Sequence, residues 1–470
     1  MAQLDVKDKY ANITLNLNGV KYKISQAFEF PEQNLSVKES LNRSRKKTIL
    51  FGDIPIEDGE NLQFKEIGRG GNGAVYQIGN YAVKVNFSVE AKEEAEGMYN
   101  FRKIVKDEKK KHFPEIYGYG TLTKVDGGDP VYFYSMEMIN GIKLTKIKLN
   151  KSSGDNSSKG AAEEAVEAAE AAELEAFKKS LESNPLKTKF PALADMLSIT
   201  NASNSSSEIK LDTKEKVMEV FKQICDAIKC IHDAKRFHGD LKPDNIMIEK
   251  GNNIKIIDMS CIKAGKHTDD ICQKLFTLAY ISPERSVVLG GNIPENIEPL
   301  TILKQSDIWV LGIILVNLIT QYDFIGSSKK EQMHVAFKIY KLPKENYTSD
   351  DYFNIFGYKF TEEEIIIEGL KNSNMVELVK NIFTKKEGQI KTINALIDKF
   401  NAAIEDRTSG ANVSGAQAGA VTKGLNLLVN GGKGGGRKKR ISKKKGRYSK
   451  KKKVRYSKKK KINSKRKRRS

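Results

Sequence analysis

Phe237-His-Gly-Asp240-Leu-Lys242-Pro-Asp-Asn245 is followed, after a short apolar hairpin, by Ile254-Lys-Ile-Ile-Asp258-Met-Ser260. The first stretch places a carboxylate, an ammonium and a carboxamide at i, i+2 and i+5 of a proline-containing loop. A carboxylate so placed can accept a proton from an alcohol. The ammonium can neutralise a transferring phosphoryl group, and the carboxamide oxygen can ligate a hard cation such as Mg²⁺. The second stretch is an apolar strand that delivers one more carboxylate, 13 residues beyond Asn245. That separation suits two ligands of one metal site joined by a hairpin, with Ile246–Ile248 and Ile254–Ile257 as its strands around a Gly-Asn-Asn turn.

Upstream lies Gly68-Arg-Gly70-Gly-Asn-Gly73-Ala-Val75. Glycines let a backbone turn approach phosphates closely and aim N–H groups at them. Dinucleotide-binding folds share this spacing, but there a helix opens at the glycines. Here the glycines run into Val75-Tyr-Gln-Ile, a Gly79-Asn80 turn and Tyr81-Ala82-Val83-Lys84-Val85, a hairpin ending in a lysine. Ala82 and Lys84 share a strand face, so the ammonium points under the glycine loop. Two further motifs follow downstream: Thr277-Leu-Ala-Tyr280-Ile-Ser-Pro283-Glu284 and Asp307-Ile-Trp309-Val-Leu-Gly312.

These five motifs, in their order along the chain, resemble the eukaryotic-type protein kinase family over roughly residues 62–400, less an insertion. The resemblance implies an α+β, two-lobed protein-kinase-like fold: a small antiparallel sheet plus helix, then a mostly helical lobe. It implies an ATP-dependent protein kinase with ATP and Mg²⁺, or Mn²⁺, as cofactors. Gly68, Gly70 and Gly73 would cover the phosphates, Val75 and Ala82 would sandwich adenine, and Lys84 would hold the α/β-phosphates. Glu137 and Ile139, in Met136-Glu-Met-Ile139, would offer backbone hydrogen bonds to adenine. Asp240 would be the catalytic base, Lys242 the stabiliser of the γ-phosphoryl, and Asn245 and Asp258 the metal ligands. Glu90, Glu93, Glu94 and Glu96 are all candidates to pair with Lys84. Glu94 is favoured because Met98 and Phe101 then fall at i+4 and i+7 on its inward face. Asp240-Leu-Lys242-Pro and Thr277 resemble the Ser/Thr branch, so a protein serine or threonine is the implied acceptor.

Three departures from the family pattern carry consequences. Gly239 stands where the family has the arginine that gathers a phosphorylated activation loop, which predicts activity without loop phosphorylation. Met259-Ser260 replaces Phe-Gly after the metal-binding aspartate. Met can fill the apolar position, while Ser restricts the backbone. The usual arginine partner of Glu284 is missing near Gln389-Ile-Lys391, with Lys391 the available substitute. These changes keep a pseudokinase scaffold, or a nucleic-acid-associated structural protein, as the alternative reading.

The chain has 470 residues and a formal net charge of +22. Residues 411–470 hold 24 Lys or Arg and no Asp or Glu, leaving about −2 for the remainder. The expected organisation is an N-terminal extension with a possible hairpin about Asn18-Gly19 (1–61) and an N-lobe (62–140). A C-lobe (141–405) follows, carrying a low-complexity helical insertion (150–210), then a Gly-rich linker and Lys/Arg-rich disordered tail (406–470). Tyr448-Ser-Lys-Lys-Lys-Lys and Tyr456-Ser-Lys-Lys-Lys-Lys form a near-repeat in the tail. Residues 437–469 are expected to bind nucleic acid or another polyanion by counterion release. Nuclear import and an anionic membrane surface are the competing readings. Such tails on a divergent kinase core resemble proteins of large DNA viruses, which implies a virion, nuclear or cytoplasmic location. The four cysteines lack CxxC spacing and read as intracellular thiols. The apolar run Ile308–Ile319 is too short to span a bilayer and reads as a core helix, so no transmembrane segment is expected.

Overall fold

The computed structural model describes residues 4–5, 13–30, 61–70, 73–86, 90–147, 209–259, 277–289, 298–326, 329–343, 346–385 and 388–405. The expected inserted helix and the basic tail lie outside the described residues, as does Ser260.

Eight strands form the first sheet: β1 (Leu4–Asp5), β2 (Thr14–Leu17), β3 (Val20–Glu29), β4 (Asn61–Gly70), β5 (Gly73–Ile78), β6 (Tyr81–Asn86), β7 (Ile116–Lys124) and β8 (Val131–Glu137). Asn18 and Gly19 join β2 to β3 with φ of 53° and 84°. Positive φ at both central residues is what a two-residue hairpin needs to match strand twist. The hairpin is no separate extension. β2 runs parallel to β4, and β3 runs antiparallel to β7 through Ala27↔Gly120 and Phe28↔Tyr119. The sheet is therefore larger than the small antiparallel one expected, and it contains a parallel pair. Buried Leu15, Leu17, Ile24, Phe64, Val83 and Phe133 form its own core.

Helix α1 (Glu90–Ile104) lies against β7 and β8. Ala91, Ala95, Met98, Tyr99 and Phe101 are its buried face, a spacing that repeats every three to four residues. Phe30, just past β3, stacks on Tyr99 with ring centroids 4.1 Å apart and planes 9° from parallel. It also meets Tyr119 at 5.6 Å.

The second part opens with a three-stranded sheet of β9 (Gly141–Lys143), β10 (Ile246–Glu249) and β11 (Ile254–Ile256). Around it pack α2 (Lys214–Asp233), α3 (Pro283–Leu289), α4 (Pro299–Thr320), α5 (Lys329–Lys341), α6 (Ser349–Asn354), α7 (Ser373–Ile382) and α8 (Ile393–Glu405). Thr213 caps α2 by accepting from Lys216 N–H at 3.4 Å. Helix α4 is apolar on every side and sits at the centre, with Trp309 edge-on to Tyr352 and Phe383 at 4.8 Å each. Its 22 residues are long and apolar enough to cross a membrane, but 89% of the apolar window is buried within the protein. It is therefore a core helix. Gly312 permits its close approach to the end of α7, because a Cβ there would come within 2.5 Å of Ile382 Cγ2 and 2.8 Å of the Phe383 ring.

His112, after α1, is also fully buried. One ring nitrogen meets the Ile254 backbone, and Nδ1 has no hydrogen-bond partner among the described residues. Burial disfavours the imidazolium and lowers the His112 pKa from 6.5 to about 4.

Two measurements follow from this packing. Truncating Phe→Ala in a core typically costs 3–5 kcal/mol, so Phe30→Ala should lower the unfolding free energy in urea by about 3 kcal/mol and raise amide exchange along α1. The unfolded chain takes up a proton at His112 before the folded one does, so stability should fall as pH drops from 6.5 toward about 4. His112→Asn should remove up to about 1.4 kcal/mol per pH unit of that dependence. Identical slopes in urea titrations of the two proteins would contradict the burial argument.

Candidate active site

The glycine-rich turn joins β4 to β5. Gly73 has φ of +149°, and a Cβ there would strike the Val85 carbonyl and the Asn86 side chain. Only glycine fits. At Gly68 and Gly70 the side-chain space is open. Val75 faces Lys84 across the β5–β6 ladder, and Gln77 faces Ala82.

Lys84 comes from β6 and is buried with Glu94 of α1. Its Nζ donates to Glu94 Oε1 at 2.9 Å and to Asp258 Oδ1 at 2.8 Å. Among the four glutamates named from the sequence, Glu94 makes this contact. Tyr134, paired with Lys84 on β8, donates its hydroxyl to Glu94 Oε1 at 2.9 Å. Burial alone would lower the Lys84 pKa, but the carboxylates of Asp258 and Glu94 outweigh it and hold the ammonium well above its ordinary value. In return Lys84 holds the Asp258 carboxyl well below the usual carboxylate range. Asp258 follows β11 at φ of +56°, a left-handed conformation that aspartate tolerates better than most residues. Met259 is fully buried.

The loop between α2 and β10 carries the second cluster. Asp240 Oδ1 accepts from Thr277 N–H at 2.8 Å and from Thr277 Oγ1 at 2.9 Å. Asp240 Oδ2 accepts from Lys242 Nζ at 2.7 Å. Lys242 Nζ also donates to Thr277 Oγ1 at 2.6 Å, so that hydroxyl relays between lysine and carboxylate. Burial pulls the Lys242 pKa down, but Asp240 raises it further and keeps the amine charged. Asn245 Nδ2 donates to the Asp240 carbonyl at 2.8 Å, which leaves the amide oxygen as its remaining polar atom.

His238 joins the two clusters. Its Nδ1 accepts from Asp240 N–H at 3.3 Å, so Nε2 carries the proton and donates to the Ile257 carbonyl at 3.3 Å. Beneath both, Asp307 of α4 accepts from His238 N–H at 2.8 Å and Gly239 N–H at 3.1 Å, with His232 Nε2 at 3.0 Å. Burial would raise the Asp307 pKa, but these partners hold it below its ordinary value.

Glu137 ends β8, and Ile139 lies two residues on in the link to β9. The Glu137 side chain accepts from Lys255 Nζ of β11 at 2.9 Å and from Glu115 N–H at 3.2 Å. The strand that leads to Asp258 is thereby tied to the end of β8. Glu284 finds its partners in Tyr347, whose hydroxyl donates at 2.6 Å, and in Gln389 Nε2 at 3.4 Å. Lys391 is exposed and does not serve; a tyrosine from before α6 takes the place expected of a lysine or arginine.

The structure thus brings Lys84, Glu94 and Asp258 together, and Asp240, Lys242, Asn245 and Thr277 together. The sequence reading singled out the Asp307 motif, but it gave no role to Tyr134, His238, Lys255 or Tyr347. Lys255 had a signal, being the one charged residue between two isoleucines of a short buried strand. Tyr347 had none.

Comparison with known proteins agrees with this geometry. A protein kinase domain model matches residues 187–399. Serine/threonine-protein kinase mph1 of Schizosaccharomyces pombe is 28% identical over 135 residues, covering 26% of this chain and 20% of its own length. The CTD kinase subunit alpha of Saccharomyces cerevisiae is 32% identical over 128 residues, covering 27% and 22%. The probable serine/threonine-protein kinase MARK-A of Dictyostelium discoideum is 24% identical over 208 residues, covering 43% and 18%. Residues 187–399 thus resemble a protein kinase domain, and the relatives that match are serine/threonine-protein kinases. The match spans about a fifth of the length of these relatives.

Proposed function

We propose that the chain is an ATP-dependent Ser/Thr protein kinase. The observation that carries this reading is the pair of clusters, with Lys84–Glu94–Asp258 closed by ion pairs and Asp240 held by Thr277, Lys242 and Asn245. Positioning and charge stabilisation are what phosphoryl transfer asks of a protein.

The residues present fit a nucleotide with a hard cation. Asn245 and Asp258 supply oxygen donors, and no group of three or more His, Cys, Asp or Glu suited to a metal exists among the described residues. Such a sparse set suits Mg²⁺, which is commonly held by one or two protein ligands plus phosphates. Mg²⁺–ATP supplies the transferable phosphoryl group and the divalent charge. Asn245 and Asp258 would hold the cation. Gly68, Gly70, Gly73, Val75, Ala82, Lys84, Glu137 and Ile139 would hold the nucleotide. The Asp240 carboxylate orients the acceptor hydroxyl and receives its proton. Lys242 balances charge beside it, and Glu94 keeps Lys84 from turning away.

Residues 437–469 serve in this reading as a tether to nucleic acid. The support is their composition, since the chain's net positive charge resides in residues 411–470.

Purified chain with labelled ATP, Mg²⁺ or Mn²⁺ and a basic protein substrate should place label on serine or threonine. Asp240→Asn and Asp258→Ala should each reduce it by about 10²-fold or more. Nucleotide binding without label in either metal would support the scaffold reading instead. Deleting residues 431–470 should leave phosphoryl transfer intact while removing a nucleic-acid affinity that falls steeply between about 50 and 200 mM salt. Equal retention of DNA and RNA by the deleted chain would overturn the tether.

A further inference from the structure

The peptide that leads into Asp240 is gripped from several sides. Gly239 has φ of +80°, a left-handed conformation that costs a side-chain-bearing residue about 1–2 kcal/mol. This turns its carbonyl inward. There it accepts from the guanidinium Nη1 of Arg285, a residue only 3% exposed. The Gly239 N–H goes to Asp307 at 3.1 Å, and the next N–H, of Asp240, goes to His238 Nδ1 at 3.3 Å. A cavity lined by Gly239, Asp240, Tyr280, Arg285, Asp307 and Val310 lies against the peptide. Polar contacts, more than packing, therefore set its plane.

Arg285 sits in α3, directly after Glu284. Its backbone N–H is anchored on Ser282 Oγ at 3.2 Å, and Glu284 is anchored on Tyr347. Segment 277–289 thus takes hold of the Asp240 loop at two points: Thr277 on the carboxylate and Arg285 on the preceding carbonyl. Both grips come from within the chain, and neither needs an added charge.

We propose that Arg285 is a positioning residue for phosphoryl transfer: by holding the Gly239 carbonyl it fixes the 239–240 peptide and hence the direction of the Asp240 carboxylate, without help from a phosphate. This rests on the kinase reading and names how its site is kept in order. Removing the grip misdirects the acceptor hydroxyl, while the residues that would hold the nucleotide lie in β4 to β8 and the link to β9, away from the 239–240 peptide.

Arg285→Met in the full-length chain should lower kcat by about 10²-fold, the scale of a small misplacement of a reacting group, with the KM for ATP unchanged. Arg285→Lys keeps one donor and should recover part of that loss. If the methionine variant does not fold, the lysine variant carries the test through the same split of kcat from KM. Wild-type chain treated with a phosphatase should keep its kcat. Three results overturn the proposal alone: a methionine variant as fast as wild type, loss of ATP affinity in step with kcat in the lysine variant, or turnover that vanishes on dephosphorylation. A wild-type chain that binds ATP yet transfers no phosphate overturns the kinase reading beneath it.

Discussion

Asp307 is a carboxylate in the middle of a helix that is apolar on every side. An ion there survives only if its oxygens are filled with donors, because burying an unpaired charge costs several kcal/mol. The donors come from the backbone of His238 and Gly239 and from the His232 ring at the end of α2. The loop before Asp240 therefore folds onto α4 to satisfy that charge. Once it does, the His238 ring reaches the carbonyl of Ile257, one residue before Asp258. His238 thereby links this buried carboxylate to the residue before Asp258.

The other lobe is joined to this arrangement through charge. Lys84 and Asp258 are separated by 174 residues and meet at 2.8 Å. Glu94 reaches the same ammonium from α1, and Tyr134 closes the group from β8. Burial makes each contact strong and each deletion costly. Lys255 and Glu137 add a second ion pair between the strand before Asp258 and the end of β8. Two ion-paired groups thus tie the first sheet and α1 to the β11 segment.

Much of this was legible in residue order. The Asp240–Asn245 loop, the glycine turn and the lysine strand are local patterns, and local chemistry limits what they can become. Choosing Glu94 among four glutamates needed only helix periodicity, since Met98 and Phe101 mark the inward face. What stayed hidden depends on contacts between distant segments. Nothing in Val20–Glu29 announces that it pairs with β7, because an exposed strand edge accepts any partner of suitable register. Tyr347 replaces a charged partner of Glu284 with a phenol, and a hydroxyl in a turn carries no mark of the carboxylate it will meet.

The Phe30–Tyr99 stack has a bearing on how this chain can vary. The ring of Phe30 covers the helix that carries Glu94, so residues ahead of the glycine turn belong to the same cooperative folding unit. A cassette cut to the familiar motifs would expose Tyr99 and Tyr119 to water. Positions 30 and 99 are therefore coupled: a change in the size of one ring leaves the other with a cavity or a clash, so the two places, nearly seventy residues apart, are not independent sites for substitution.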